Sequence, residues 1–325
     1  MTSSILVTGC AGFIGFNLTN QLLDKKIRVV GIDNFSSNSE KKIKFHRCKL
    51  LKNHRNKKYF KFEKIDINNE SLLKKLFKKY KFKKIIHLAA LAGVRNSFLK
   101  PKGYIDTNII GSFNILEKTK QFNVPHIIIA STSSVYGQKE KFPVKEMDET
   151  NKPISIYAAT KKSMEVISYV YSHNFNIKVT ILRFFTVYGP YGRPDMALYN
   201  FVKNCKKNKF INLFNKGNHK RDFTYITDTT SAIESVIFSK KKYSKFEIFN
   251  VSNGKSIELK KYVSEIEKNF KKKIKKRLLN MQQGDVHKTH GSNLKFKKYF
   301  SYKPKVSVSE GVKKFIEWFQ TYEKK

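Results

Sequence analysis

The stretch Ser4-Ile-Leu-Val-Thr8-Gly9-Cys10-Ala11-Gly12-Phe13-Ile14-Gly15 decides the fold. A short apolar run bounded by glycine leads into a segment with Ile14, Leu18 and Leu22 at helical spacing. The spacing predicts a buried strand, a glycine-rich turn and a helix over Phe13–Lys25. Such a turn lets backbone N–H groups approach a pyrophosphate at the positive helix N-terminus. Glycines alone also mark ordinary turns, so context has to add to them. A second strand, expected over Arg28–Asp33, ends in an acid 18 residues beyond Gly15. A carboxylate there accepts both hydroxyls of an adenosine ribose and repels a 2′-phosphate, which favours NAD over NADP.

Outward from this unit the alternation continues. The patterning predicts strands over Tyr59–Ile67, Lys84–Ala90, His126–Thr132 and Lys178–Phe184. Helices are expected around Leu72–Phe77 and over Ile105–Gln121 and Tyr157–His173. That order implies an α/β fold, a Rossmann-type doubly wound parallel sheet covered by helices on both faces. Residues 1–187 read as the dinucleotide-binding domain. Residues 188–325, less regular and richer in loops, read as a smaller C-terminal α/β region for a substrate, its elements free to interleave with the first. The basic insert Ser36–Lys58 is expected as a loop and a helix.

Charge points elsewhere at first. Lys+Arg number 66 against 25 Asp+Glu, a net charge of +41, which raises nucleic acid or an anionic membrane as a partner. The Lys excess is spread along the chain beside abundant Asn, Ile and Phe, as a gene rich in A and T would produce. The densest stretches, Lys41–Lys64 and Lys271–Arg277, carry no recognition-helix, zinc or RNA-binding aromatic pattern. A solvated surface is the preferred reading, with no nucleic acid and no membrane as partner. Eight of the basic residues are Arg, and Arg is the residue that Lys cannot replace where a planar fork must grip an anion. Cys10, Cys48 and Cys205 are far apart, so neither a disulfide framework nor a metal site is indicated. The chain starts almost at once with a strand and has no apolar run of spanning length, which leads to the expectation of a soluble, cytoplasmic protein.

Tyr157-Ala-Ala-Thr-Lys161 sets a tyrosine and a lysine four apart on one helix face. An ammonium beside the phenol is expected to lower its pKa, so that a phenolate acts near neutral pH. The pair follows the strand Ile127-Ile-Ile-Ala-Ser-Thr132 and the turn Ser133-Ser-Val-Tyr-Gly137. Together with the three-residue glycine spacing, this arrangement resembles the extended short-chain dehydrogenases/reductases, the NAD-dependent epimerase/dehydratase family. The resemblance implies Thr132, Tyr157 and Lys161 as the catalytic triad, with Lys161 also holding the nicotinamide ribose. It implies a cofactor set of Gly9, Gly12, Phe13, Ile14, Gly15, Asp33, Asn34, Asp66, Ile67, Leu88, Ala89, Ala90 and Phe184 beside Tyr157 and Lys161.

Within the family, 4,6-dehydratases place an Asp-Glu pair after the catalytic hydroxyl, and UDP-glucuronate decarboxylases a Glu at the second following position. This chain has Ser133 and Ser134. The segments Leu88–Ser97, Leu182–Pro190, Gly192–Ala197 and Lys220–Ile226 resemble UDP-glucuronate 4-epimerases across nearly the full length. UDP-hexose epimerases usually carry Asn where Thr186 stands. The resemblance therefore implies Thr186, Ser133 and Ser134 at the uronate, and Arg193 at the carboxylate or diphosphate. It implies Arg221, and less strongly Arg95, at the diphosphate, Asn212 and Phe214 at uracil, and Asp285 at the uridine ribose. For Arg183 a buried structural salt bridge is preferred. The helices over Ile105–Gln121 and Tyr157–His173 match the family's homodimer interface. A UDP-hexose 4-epimerase, a decarboxylase, and a basic NAD- or nucleic-acid-binding protein without activity remain the alternatives.

Overall fold

The computed structural model describes residues 3–36 and 41–323. Residues 37–40 of the expected insert lie outside the described residues. In chain order the strands are β1 (Ser4–Thr8), β2 (Val29–Ile32), β3 (Phe60–Glu63), β4 (Phe82–His87), β5 (His126–Thr132), β6 (Lys178–Phe184), β7 (Thr186–Tyr188), β8 (Ile211–Leu213), β9 (Lys220–Tyr225), β10 (Phe246–Val251), β11 (Ser256–Glu258) and β12 (Lys276–Leu278). The helices are α1 (Phe13–Asp24), α2 (Lys41–Lys52), α3 (Glu70–Lys79), α4 (Val94–Leu99), α5 (Pro101–Ile105), α6 (Gly111–Gln121), α7 (Ile156–Asn174), α8 (Ala197–Lys206), α9 (Ile226–Ile237), α10 (Leu259–Phe270), α11 (Leu294–Phe300) and α12 (Val308–Tyr322).

Seven strands build one parallel sheet in the order β10-β6-β5-β4-β1-β2-β3. The order reverses between β1 and β4, which is where ligands bind in open α/β sheets. Period-2 alternation sorts each strand between two cores. Ile5, Val7, Ile86, Ile128 and Leu182 pack with the α1, α9 and α12 side. Leu6, Val30, Ile85, Ile127, Ile129 and Ile181 pack with α3, α6 and α7. Burial on both faces explains why the strands read as continuous apolar runs.

β10 comes from the second half of the chain yet completes the edge of this sheet beside β6. The rest of that half is more regular than its sequence suggests. It holds a three-stranded sheet, β11-β9-β7, a two-stranded pair, β12-β8, and helices α8 to α12. Its strands outside the central sheet are mostly three residues long, too short for an alternation to be visible in sequence. The helix expected from Ile105 starts earlier, at Pro101, where a proline at the first position lacks only an N–H that would be unpaired anyway. It passes through a π-turn over Asp106–Ile110 into α6. Strand β3 is shorter than expected, and Asp66 and Ile67 lie in the turn beyond it. No helix among the described residues is long and apolar enough to cross a membrane.

Candidate active site

The glycine turn is as tight as its sequence implies. Gly9 has φ +69°, and a Cβ there would stand 2.9 Å from the Ala89 Cα. A Cβ on Gly15 would stand 2.1 Å from the Gly9 carbonyl oxygen, so helix α1 starts directly against the turn. No side chain shields the N-terminus of α1, where Gly12 is the cap residue. Thr8 closes β1 onto β4: its hydroxyl accepts from the Leu88 and Ala89 amides at 3.2 and 3.1 Å and pairs with His87 Nδ1 at 2.8 Å. Burial holds His87 neutral, its pKa pushed down to about 3. Residues 88–90, expected inside a strand, instead leave the sheet here and turn along the cleft.

A cleft of about 380 Å³ runs over the carboxyl ends of β1, β2, β4, β5 and β6. The structure brings to it Gly9, Gly12, Phe13, Ile14, Gly15, Asp33, Asn34, Ile67, Leu88, Ala89, Ala90, Thr132, Ser133, Ser134, Tyr157, Lys161, Phe184, Thr186 and Arg193. Asp66 is one step away, accepting from Asn34 Nδ2 at 2.7 Å. This is the shape and donor set a dinucleotide needs: a glycine cradle without side chains, an uncapped twelve-residue helix N-terminus, and a carboxylate at the end of β2.

At the other end of the cleft, Ser155 caps α7, its hydroxyl accepting from the Ala158 amide at 3.1 Å. That fixes the first turn, which carries Tyr157, with Lys161 one turn later on the same face. Thr132 ends β5 and caps the turn Ser133–Tyr136, its hydroxyl 3.2 Å from both the Ser134 amide and hydroxyl. Tyr157 stands beside Thr132, whose hydroxyl draws the phenol pKa down. Burial raises the Tyr157 pKa, against the pull of Thr132 and of the Arg193 charge. This differs from the expectation that Lys161 lowers it. Desolvation outweighs the charges nearby, and Lys161 is itself buried, its pKa pushed down to about 8 against the opposing Glu165.

Glu165 is largely occupied. It receives Arg183 through Nε at 2.9 Å and a second guanidinium nitrogen at 2.8 Å, and Ser131 Oγ at 2.6 Å. Arg183 also donates to the Tyr136 hydroxyl and the Glu146 carbonyl. It is therefore the buried salt bridge preferred from sequence, and it braces α7 on β5 and β6.

A smaller cavity of about 130 Å³ continues from the first and shares Ser133, Ser134 and Thr186 with it. Arg221 and Asp285 line its far wall. Arg95 bridges the rim: its guanidinium lies 4.5 Å from the Phe214 ring centroid and 3.6 Å from the Asp285 carboxylate. Phe214, Arg95 and Asp285, separated widely in sequence, thus form one cluster. Asn212 is exposed on β8 and lines neither cavity. Arg193 reaches the cleft with Asp195 already bidentate on it, at 3.0 and 2.6 Å, and donates to the Ala92 carbonyl at 3.0 Å. Its net charge in the cleft is therefore less than that of a lone Arg. Three lining residues had no signal in sequence. Tyr104 fixes the 92–93 turn, its single hydroxyl proton shared between the two carbonyls there, Asp195 holds Arg193, and Lys44 is one lysine among many.

The chain matches the family described as GDP-mannose 4,6 dehydratase over residues 6–315. It belongs to that family, of the extended short-chain dehydrogenase/reductase class. It is 45% identical to an uncharacterized protein of Methanocaldococcus jannaschii, over 97% of this chain and 96% of that one. It is 40% identical to a UDP-glucuronate 4-epimerase of Thermodesulfobacterium geofontis, over 96% of this chain and 95% of that one. The fold is that of the UDP-glucuronic acid 4-epimerase from Bacillus cereus solved with UDP-glucuronic acid and NAD, with a TM-score of 0.91 and 34% identity, covering 98% of this chain and 99% of that one. The family's description names a dehydratase, but the turn after Thr132 offers Ser133 and Ser134 where water loss requires an acid and a base.

Proposed function

We propose that the protein is an NAD-dependent 4-epimerase that interconverts UDP-glucuronate and UDP-galacturonate through a 4-keto sugar. The observation that carries this reading is the run of hydroxyls, Thr132, Ser133, Ser134 and Thr186, where the two cavities meet beside Tyr157, with no carboxyl side chain among them. NAD, when bound, supplies first the acceptor and then the donor of the C4 hydride. Tyr157, beside Thr132, takes the proton from the sugar 4-hydroxyl and later returns it, and Lys161 holds the ribose side and the local charge. Arg221 and Arg95 face the diphosphate, Asp285 the ribose hydroxyls, and Phe214 the uracil. The 4-ketone stands β to the carboxylate, and such acids lose CO2 when the breaking bond is perpendicular to the carbonyl plane. An epimerase must hold that bond near the plane while the sugar turns over. The Thr186 and Ser133 hydroxyls do this with charge-assisted bonds, each contributing roughly 1.5–3 kcal/mol.

We further infer that the NAD-binding domain is built on residues 1–187 and the nucleotide-sugar region mainly on 188–325, with β10 interleaved into the first domain's sheet. The enzyme works as a homodimer through α6 and α7, whose exposed Phe113, Val166, Tyr169 and Val170 offer an apolar face. Its place is the cytoplasm, where free thiols such as the three buried cysteines persist, and its product feeds polysaccharide synthesis. An NMR time course with UDP-glucuronate tests the function. The expected product is UDP-galacturonate, with at least about a hundredfold preference over UDP-glucose, which leaves the hydroxyl donors without their charged partner. Equal conversion of UDP-glucose would leave a UDP-hexose 4-epimerase, and a pentose as the main product a decarboxylase. Thr186→Val should lower uronate turnover and raise the pentose by-product.

A further inference from the structure

The carboxylate of Asp33 is met by three donors from three different parts of the chain. The Ala11 amide, in the glycine turn, reaches one oxygen at 3.2 Å. The Phe35 amide reaches the other at 2.8 Å. Lys44 Nζ, from α2, reaches that same oxygen at 3.2 Å and also donates to the Ser36 carbonyl at 2.9 Å. Asp33 is 4% exposed and the Lys44 side chain 14%. Phe35 adopts a left-handed conformation, φ +57°, which turns its amide back onto Asp33. Phe35 is buried and stacks on Phe45 with ring centroids 4.4 Å apart, so that turn is held by packing as well. Asp33, Asn34, Ser36 and Lys44 all line the cofactor cleft.

Such a convergence of two amides and an ammonium is an anion cradle built by the chain itself, and Asp33 is the anion that fills it. An acid at the end of β2 excludes a 2′-phosphate by its charge and by the space it takes. Here the charge is already balanced by Lys44. We infer that Lys44 is a cofactor-specificity residue: it softens the rejection of NADP, and together with the Ala11 and Phe35 amides it forms a latent 2′-phosphate site that Asp33 alone keeps closed. The inference rests on the reading of Asp33 as the adenosine-ribose acid. Removing the carboxylate frees these donors for a phosphate to engage, and a serine in its place, accepting only from the Phe35 amide, still leaves Lys44 and the Ala11 amide. Removing Lys44 instead leaves Asp33 with its full charge and deepens the preference for NAD.

Four proteins test this: wild type, Lys44→Ala, Asp33→Ser and the double variant. Serine at 33 keeps a hydroxyl able to accept from the amide two residues on, so the turn is retained, and circular dichroism checks each fold. Each protein is equilibrated with equal excess NAD and NADP, separated from free nucleotide, and its extracted cofactor quantified by mass spectrometry. Wild type should retain mainly NAD, and Lys44→Ala should retain it with a higher NAD:NADP ratio. Asp33→Ser should shift the ratio toward NADP by roughly ten- to a hundredfold, the scale of one charge-assisted hydrogen bond. The double variant should lose that gain. Equal NADP retention by the folded single and double variants would overturn the inference. A wild type that carries mainly NADP would overturn the reading of Asp33 beneath it. Neither outcome depends on which sugar is converted, so failure of the sugar assignment shows separately in the NMR time course.

Discussion

The proposed mechanism assigns the proton chemistry to Tyr157 and Lys161, and the cleft shifts their pKa values in opposite ways. Burial raises Tyr157 above the usual phenol pKa and lowers Lys161 to about 8. Both shifts disfavour charge in a dry site, so catalysis depends on a charge developing beside these groups when the ligands are in place. Tyr157→Phe should keep the fold and the bound NAD and lower kcat by roughly 10²–10⁴, the scale of a positioned acid–base group. Retained cofactor with activity within a few-fold of wild type would remove the phenol from the mechanism. Lys161 also has a stability cost. Its lowered pKa means that the folded protein holds fewer protons than the unfolded chain between about pH 8 and the ordinary value of 10.5. Below that window the buried charge costs about 3 kcal/mol, and the cost fades as pH rises through it. In cofactor-free protein, Lys161→Met should therefore raise the urea midpoint at pH 7 and lose that advantage by pH 10.5, while abolishing turnover.

At the scale of elements, α7 is placed by its cap and by one ion pair. Ser155 sets where the helix starts, and the Arg183–Glu165 pair ties its third turn to β6, both partners 2% exposed. Glu165→Gln leaves a buried guanidinium without its counter-charge and should cost about 3–5 kcal/mol in denaturant unfolding. A loss below 1 kcal/mol would mean that packing alone seats the helix. The strands around this helix were legible in sequence because both faces of a parallel sheet are buried, and His126–Thr132 and Lys178–Phe184 match their expected limits. Glycine spacing, Asp33 and Tyr157-x-x-x-Lys161 were legible because chemistry restricts those residue types. Lys44 was not, since nothing in the sequence distinguishes it from the neighbouring lysines of α2. The Arg95–Phe214–Asp285 cluster was not either: its members lie on α4, after β8 and in the loop beyond β12, and no local pattern records such a meeting. The π-turn at Asp106–Ile110 also leaves no periodic trace. It follows the helix that starts at Pro101, before the expected Ile105, and Asn108 within it holds both backbone groups of Leu91 and the Thr160 hydroxyl.

For the whole molecule, the surplus of positive charge meets three buried histidines. His87 and His126 are pushed down to about 3, and His219 to about 4, in each case mainly by burial and then by nearby cations. A folded-state pKa below the ordinary 6.5 means that the unfolded chain binds protons that the folded protein refuses. The stability these groups contribute is present above pH 6.5 and is lost as pH falls from there toward 4 and 3. Asp222 works against them. Burial pushes its pKa up to about 7, although the Asn253, Gly254 and Gly291 amides pull it down, and burial raises Glu146 as well, so acid favours the folded state at these two carboxyls. Three histidines against these two carboxyls leave a net loss on the order of 1–2 kcal/mol per pH unit between about pH 6 and 4.5. Self-repulsion from a net charge of +41 adds to the loss as carboxylates protonate. The two causes separate by salt, because repulsion between surface charges is screened over about 8–10 Å at physiological ionic strength while burial of an imidazole is not. Urea midpoints measured from pH 7 to 4.5 should fall steeply at low salt, and most of the slope should persist in 0.5 M salt, a concentration on the order of that needed to bring the screening length near 4 Å. His126→Gln, which keeps a polar partner for Thr180 and cannot charge, should flatten the curve by about one proton. A midpoint that stays level at high salt would assign acid sensitivity to the surface lysines and remove the histidines as its source.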